Sequence, residues 1–406
     1  MNLIKKILLV VFLFSIASSG LVNPENDQTV SYVYIPFEWE QEANAASYNL
    51  QVSESAMFTT LLLDVVVNST LYIEKNVVDW EEFYYWRVRP VYSDETVGDW
   101  VGSFSFNVSE SHFENLEINI YNDDMVEDGL VEFAGFGPVL QSAVIDVNGR
   151  EIWNDNASMF MVNHVNEYGN IFGFGVSDYP NNTGAKINYN NEVLWNAPEG
   201  IPVDIHEVKQ IPNGNYMAFV PKYSQGPIPP GEWSFYFQLF GYEADGETIE
   251  FPWMGMRIVE WNEEGDEIWD WDPFEHFSMD DSDLYGGTWW NAIEEGSFDW
   301  MHSNAFHFDE EESVIYVSHR HLSRITKISY PSGEVVWNMG LPSEYMASGD
   351  EHICTDLLFS FQHNIQLLDN GDLLFFDNGN LSDMLLGDSN PTSRIRRIRV
   401  IDNSYC

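Results

Sequence analysis

Apolar and polar side chains alternate in short runs with the two-residue period of a β-strand. Phe37-Glu38-Trp39, Tyr48-Asn49-Leu50-Gln51-Val52 and Tyr84-Tyr85-Trp86-Arg87-Val88-Arg89 show it first. Turn-prone segments separate the runs, and the pattern predicts a small β-sandwich over residues 28–108. Ser109 to Glu117 then reads as a polar, acidic linker.

A second pattern begins near residue 115, is predicted to fill residues 118–406, and repeats. One element is an apolar strand, a turn with Gly or Asn, and a return strand that ends in Trp. It occurs at Ala143 to Trp153, Ala185 to Trp195, Ile258 to Trp269 and Ile325 to Trp337. The other element begins with His, at His164, His206, His302 and His363. Asn213-Gly214 and Asn370-Gly371 mark hairpins, because both central residues of a type I′ turn need positive φ. Two hairpins per unit with a recurring Trp are the mark of propeller blades; a β-helix or an open sandwich is the competing architecture. The expected class is all-β, a β-sandwich followed by a β-propeller.

Trp and the following His are 11 residues apart at Trp153/His164 and at Trp195/His206. They are 33 apart at Trp269/His302 and 26 apart at Trp337/His363. Both insertions fall at one equivalent point, ahead of the strand that opens a blade, so they are expected to crowd the mouth where the histidines lie. Long loops of this sort are commonly binding or lid segments.

The first residues change the picture of compartment. Lys5 and Lys6, the apolar run Ile7 to Ile16 and the small residues Ala17-Ser18-Ser19 have the order of a secretory leader, expected over residues 1–19. The run is too short for the roughly 20 apolar residues of a membrane span. The expectation is a soluble protein, secreted or periplasmic. Its 17 Lys+Arg against 65 Asp+Glu give a net charge of -48, which argues against nucleic acid or an anionic membrane as partner. The two cysteines, Cys354 and Cys406, exclude a disulfide framework but leave one bridge possible.

A lone His is ordinarily a packing or surface residue, and His164 reads as a structural ring between blades. His206, His302 and His363 have different followers, and two of them come after the insertions. Converging on an axis, they would form one cluster of titratable rings. Val317-Ser318-His319-Arg320-His321 follows a turn at Asp309 to Ser313, so Arg320 falls near the end of the strand paired with the one His302 begins. In so acidic a chain, Arg320 among histidines points to an oxyanion ligand; a salt bridge is the plainer alternative. Neither a His-x-Glu-x-x-His nor a Cys-x-x-Cys spacing appears, no metal or cofactor is expected, and a guanidinium in the pocket would disfavour a cation. No nucleophile elbow, P-loop or dinucleotide fingerprint occurs.

The order of Trp39, Tyr48-x-Leu50-x-Val52-Ser53, Phe58, Tyr85-Trp86-Arg87-Val88, Trp100 and Phe104-Ser105-Phe106 resembles fibronectin type III modules of bacterial extracellular enzymes. From about residue 130 to 400 the chain resembles the PAPS-independent arylsulfate sulfotransferases. The resemblance lies in Asp299-Trp300-Met301-His302-Ser303-Asn304, Val317 to His321, Phe361-Gln362-His363-Asn364 and His206-Glu207-Val208 with Ile211-Pro212-Asn213-Gly214-Asn215. It implies a six-bladed propeller that moves a sulfuryl group from a phenolic sulfate to a phenol through a sulfohistidine, without PAPS. It also implies His363 as nucleophile, with His206, His302, Asn304 and Arg320 binding the group or moving protons. The implied partners are an aryl sulfate donor and a phenolic acceptor, and the sequence leaves a homodimer open. The family's later-blade Thr has no counterpart here. About four repeats stand against six, and Arg394 to Asp402 reads as the opening strand of another blade, so a C-terminally truncated propeller is expected. A non-catalytic propeller that binds an acidic glycan or a protein, and a histidine-based lyase or hydrolase, are the competing functions.

Overall fold

The computed structural model describes residues 20–113, 118–119, 122–126, 129–136, 140–175, 183–401 and 403–406. The expected leader and residues 114–117 of the expected linker lie outside the described residues. The described chain is almost wholly antiparallel β-structure, and its contacts divide it into two compact units.

The first unit runs to Phe133 and also takes in Gln141–Ala157. A five-stranded sheet has the order Gln28–Val30, Val101–Val108, Phe83–Tyr92, Ala45–Ser53, Leu63–Val67. A three-stranded sheet has the order Leu21–Asn23, Ile35–Trp39, Leu71–Glu74, so pairing begins ahead of residue 28. Strand alternation turns Tyr84, Trp86 and Val88 into the core. There the Phe37 ring meets Trp86 at 5.1 Å and Phe106 at 5.9 Å.

The hairpin Leu140–Asp146/Glu151–Asn154, read from sequence as the first of the Trp-terminated repeats, groups with this unit instead. Its backbone explains why. Val33 N donates to Ile152 O at 2.9 Å and Asn154 N to Ser31 O at 3.0 Å. The buried Glu151 carboxylate accepts from the amides of His112 and Phe113, both at 3.0 Å, and from Asn154 Nδ2 at 2.9 Å.

The second unit comprises Ala134–Leu140 and the chain from Ser158 onward. It is a succession of antiparallel meanders. The first has strands Phe160–Val165, Ile171–Gly175, Thr183–Ile187 and Val193–Asn196. The second has Val208–Gln210, Tyr216–Pro227, Ile249–Trp261 and Glu267–Trp271, with Phe298–Asp299 added in parallel. The third has Ser303–Asp309, Val314–His319, Arg324–Ser329 and Val335–Gly340. The fourth has His363–Leu367, Leu373–Asp377 and Arg394–Ile398. Sequential four-stranded meanders are the blades of a propeller-like fold.

Arg394–Ile398 pairs antiparallel with Leu373–Asp377 and is therefore the third strand of its sheet, not the first strand of another blade. The hallmark Trp residues lie within the outermost strands. Trp195, for example, stacks on Tyr216 of the next sheet at 3.8 Å. Both insertions precede the first strand of a sheet. Their common anchor is Asp281, which is 3 % exposed. It accepts Arg324 Nη2 at 2.6 Å and Ser348 N at 2.9 Å, and its carbonyl takes Trp300 Nε1 at 2.6 Å. Cys354 in the second insertion is bonded to Cys406.

Candidate active site

Three rings from three successive sheets meet at one point. His206 precedes Val208–Gln210, His302 precedes Ser303–Asp309, and His363 begins His363–Leu367. Their ring centroids are 4.8 Å apart for His206 and His302, 6.3 Å for His206 and His363, and 6.5 Å for His302 and His363. All three residues are half-buried.

Each ring is oriented by a partner on Nδ1. His206 Nδ1 lies 2.6 Å from Asp204 Oδ1, and His302 Nδ1 lies 2.5 Å from Asp299 Oδ2. His363 Nδ1 lies 3.0 Å from the amide oxygen of Asn378. An oxygen without a hydrogen can only accept, so each Nδ1 carries the proton and Nε2 faces the cluster.

The partners differ in charge, carboxylates on His206 and His302 and an amide on His363. Burial opposes charge on His206, but the Asp204 hydrogen bond and charge, with Asp299 and Glu207, outweigh it and raise its pKa. Burial brings His363 down to about 4, against the Asn378 bond and together with the charge of Arg320. Asp299, which burial would push up, is held below the usual carboxylate range by the His302 hydrogen bond and by His321. The site thus joins a neutral ring to rings backed by carboxylates.

Arg320 follows the strand Val314–His319, and its amide donates to His302 O at 3.2 Å. Its guanidinium stands over the Phe361 ring at 4.7 Å. Burial lowers its pKa, while Asp299 and Asp283 act to hold the charge.

Asn304 is engaged differently from a free ligand donor. Its Nδ2 donates to Gln362 O at 2.9 Å, which places it among the bonds that hold the His363 segment. Gln362 is fully buried and donates to Ser318 Oγ, His319 O and Arg324 O at 2.9–3.2 Å. Around these anchors Phe361 and Asn364 flank His363 with positive φ of 55° and 57°, and His302 itself has φ 48°. Left-handed backbone at non-glycine residues stays only where the surroundings over-determine it, and such residues gather at functional sites.

His164 takes no part. It stands inside the strand Phe160–Val165, opposite Phe172 and beyond a register shift. Lys209 is its charged neighbour, and burial brings it to about 4. The shared spacing of 11 residues from Trp therefore does not carry His164 to the place of His206. His319 is fully buried against Trp271 and Phe277, with Nδ1 2.8 Å from Ser303 Oγ. It is a packing residue.

Sequence reading did not single out Asp204 or Asn378, and it quoted Asp299 and His321 within motifs without giving either a role. His321 stacks on His302 at 4.7 Å, and its Nδ1 donates to Asp299 O at 2.6 Å. Asp two or three residues before His was the available signal for Asp204 and Asp299. Asn378 is 15 residues from His363 and reaches it only through the hairpin between them.

Fold and site together define a propeller-like protein with a cluster of three histidines and Arg320 beside it. Residues 252–400 match the model of the family described as Arylsulfotransferase (ASST). That match takes in His302, Asn304, Arg320 and His363 and leaves His206 outside. No curated protein matches the chain.

Solved structures resemble it distantly. A protein of unknown function from Bacteroides caccae is 16% identical over 67% of this chain and 72% of its own, with TM-score 0.33. Kuenenia stuttgartiensis hydrazine synthase is 12% identical over 93% and 96%, with TM-score 0.37. A luciferin-regenerating enzyme is 10% identical over 96% and 97%, also with TM-score 0.37. Likenesses at that level carry no argument about this chain.

Proposed function

We propose that this site transfers a sulfuryl group from a phenolic sulfate ester to a phenol through a sulfohistidine on His363, without PAPS. The observation that carries the reading is the unequal set of Nδ1 partners, an amide on His363 and carboxylates on His206 and His302. A neutral imidazole with its lone pair on Nε2 is a competent nucleophile. Carboxylate-backed imidazoles are suited to carry a proton to and from a reacting oxygen.

In the first half-reaction His363 Nε2 attacks sulfur and the sulfur–aryl oxygen bond breaks. The departing oxygen takes a proton from the ring of His206, whose pKa is raised, or of His302, and the phenol leaves. In the second, the acceptor phenol gives its proton to that ring, its oxygen attacks sulfur, and the N–S bond breaks. Arg320 is placed to hold the equatorial oxygens, where charge resides in a loose transition state of this kind. The buried Phe361 ring lies under the Arg320 guanidinium and supports it there.

The test is incubation of the full chain with 4-nitrophenyl sulfate and phenol, with no nucleotide present. Nitrophenol release that rises with added phenol is expected. Release indifferent to phenol would mean hydrolysis, and no release would mean a binding module; either outcome overturns the proposal. Export belongs to the same reading, supported by the leader-like first 19 residues and by the Cys354–Cys406 bridge, which suits an oxidising compartment. Among the described residues no helix is long and apolar enough to cross a membrane.

A further inference from the structure

The three rings have the disposition of a metal tripod as well as that of a group-transfer site. One nitrogen from each of His206, His302 and His363 lies within 4.8 Å of the others. With every Nδ1 engaged, the nitrogen left to an incoming group is Nε2 on all three. We infer that this tripod binds a divalent transition ion of zinc type, held by three Nε2 atoms, and that the ion shuts off sulfuryl transfer.

Three observations support the inference. The first is reach. Zinc–imidazole bonds of about 2.0–2.1 Å set nitrogens roughly 3.3 Å apart in a tetrahedron, so from a triangle of at most this size each ring closes by roughly 0.8 Å or less. Side chains that are half-buried rather than locked in the core can make that adjustment.

The second is the outer layer. Metal-bound histidines characteristically give their other N–H to a carboxylate or carbonyl, which fixes the tautomer and strengthens the donor. Asp204, Asp299 and the Asn378 amide occupy that place on all three rings.

The third is charge. Arg320, which from sequence disfavours a cation here, is faced by Asp299 and Asp283. Glu207 is paired with Lys209 at 2.6 Å. The two carboxylates bonded to the rings, Asp204 and Asp299, therefore outnumber the one guanidinium at the cluster. A dication answers that balance, and imidazole donors select zinc, copper, nickel or cobalt over magnesium or calcium. The other grouping, Asp299 with His302 and His321, is consumed internally by the Asp299–His302 hydrogen bond.

Metal binding rests on the geometry alone, whereas its inhibitory effect rests on the sulfuryl-transfer reading, because the ion takes the His363 lone pair that would attack sulfur. Cobalt chloride is titrated into the chelator-treated full chain, and the visible spectrum is recorded. The tetrahedral d–d bands of a three-nitrogen site are expected to saturate at one ion per chain and to vanish on zinc addition. They should be lost in His206→Ala and in His302→Ala, each shown folded by circular dichroism, and kept in His276→Ala. No bands in the wild-type chain, or bands that persist in folded His302→Ala, overturn the metal site. Nitrophenol release is measured in parallel. Zinc should abolish it and EDTA should restore it, and release that zinc leaves unchanged overturns the inhibition. Bands without any release in the chelated chain would sink the transfer reading and leave the metal site standing.

Discussion

The Nδ1 of His363 lies 3.0 Å from the amide oxygen of Asn378, where the other two rings of the cluster meet carboxylates. The amide fixes the tautomer, and although its hydrogen bond favours the charged ring, burial outweighs it, so the free nitrogen keeps its lone pair. His363→Asn should abolish both turnover and the trapping of a sulfated protein, because Asn keeps polarity and size but forms no such adduct. Asn378→Ala should leave the nucleophile present but rotationally free, with turnover about tenfold lower. Single-turnover mixing with 4-nitrophenyl sulfate and mass measurement of the intact chain check both.

Asp299 orients His302 through its side chain and His321 through its carbonyl. Asp299→Asn removes the charge behind His302 and should lower kcat by about 100-fold, in the range general acid catalysis supplies. The loss should be steeper for sulfates of poorly acidic phenols, which need the proton most. Equal loss across donors of graded leaving-group acidity would remove His302 from that role.

Arg320→Lys keeps a charge and loses the planar fork. Turnover should fall by about 100-fold, the effect of losing one oriented donor to a developing charge. The change should appear mainly in kcat. A rise confined to KM would mean that Arg320 binds the ground state only.

Asp281 is buried and anchors both insertions through Arg324 and Ser348. Asp281→Ala leaves the Arg324 guanidinium, 1 % exposed, without its carboxylate. Breaking a buried pair on one side costs about 3–5 kcal/mol. The urea midpoint of the second unit should fall accordingly, read from its Trp fluorescence; a shift below about 1 kcal/mol would mark the pair as no more than a surface bridge.

Much of this was legible in the chain. Period-two alternation, Asn-Gly turns and Trp-terminated hairpins are local signals, and local backbone preference is enough to express them as antiparallel meanders. The convergence of His206, His302 and His363 followed from their place ahead of three blade-opening strands, a positional rule that needs no side-chain detail.

Other features depended on register and long-range pairing. His164 stays apart because it stands inside its strand, Phe160–Val165, whereas His206 and His302 precede theirs. Arg394–Ile398 joined Leu373–Asp377 because an unpaired strand edge is satisfied by the nearest hairpin, and sequence alone does not say which edge is open. The grouping of Gln141–Ala157 with the sandwich came from hydrogen bonds to Ser31 and Val33, more than 100 residues away. Asn378 is the clearest case. An Asn in a loop carries no mark of its partner, and only the fold of the His363–Leu367/Leu373–Asp377 hairpin brings its amide to the ring and makes that histidine unlike its two neighbours. Residue types and their spacing determined which chemistry was available and put Asp204 and Asp299 two and three residues from their rings, whereas only tertiary packing brought Asn378 to His363, because that hydrogen bond closes across a hairpin and not along the chain.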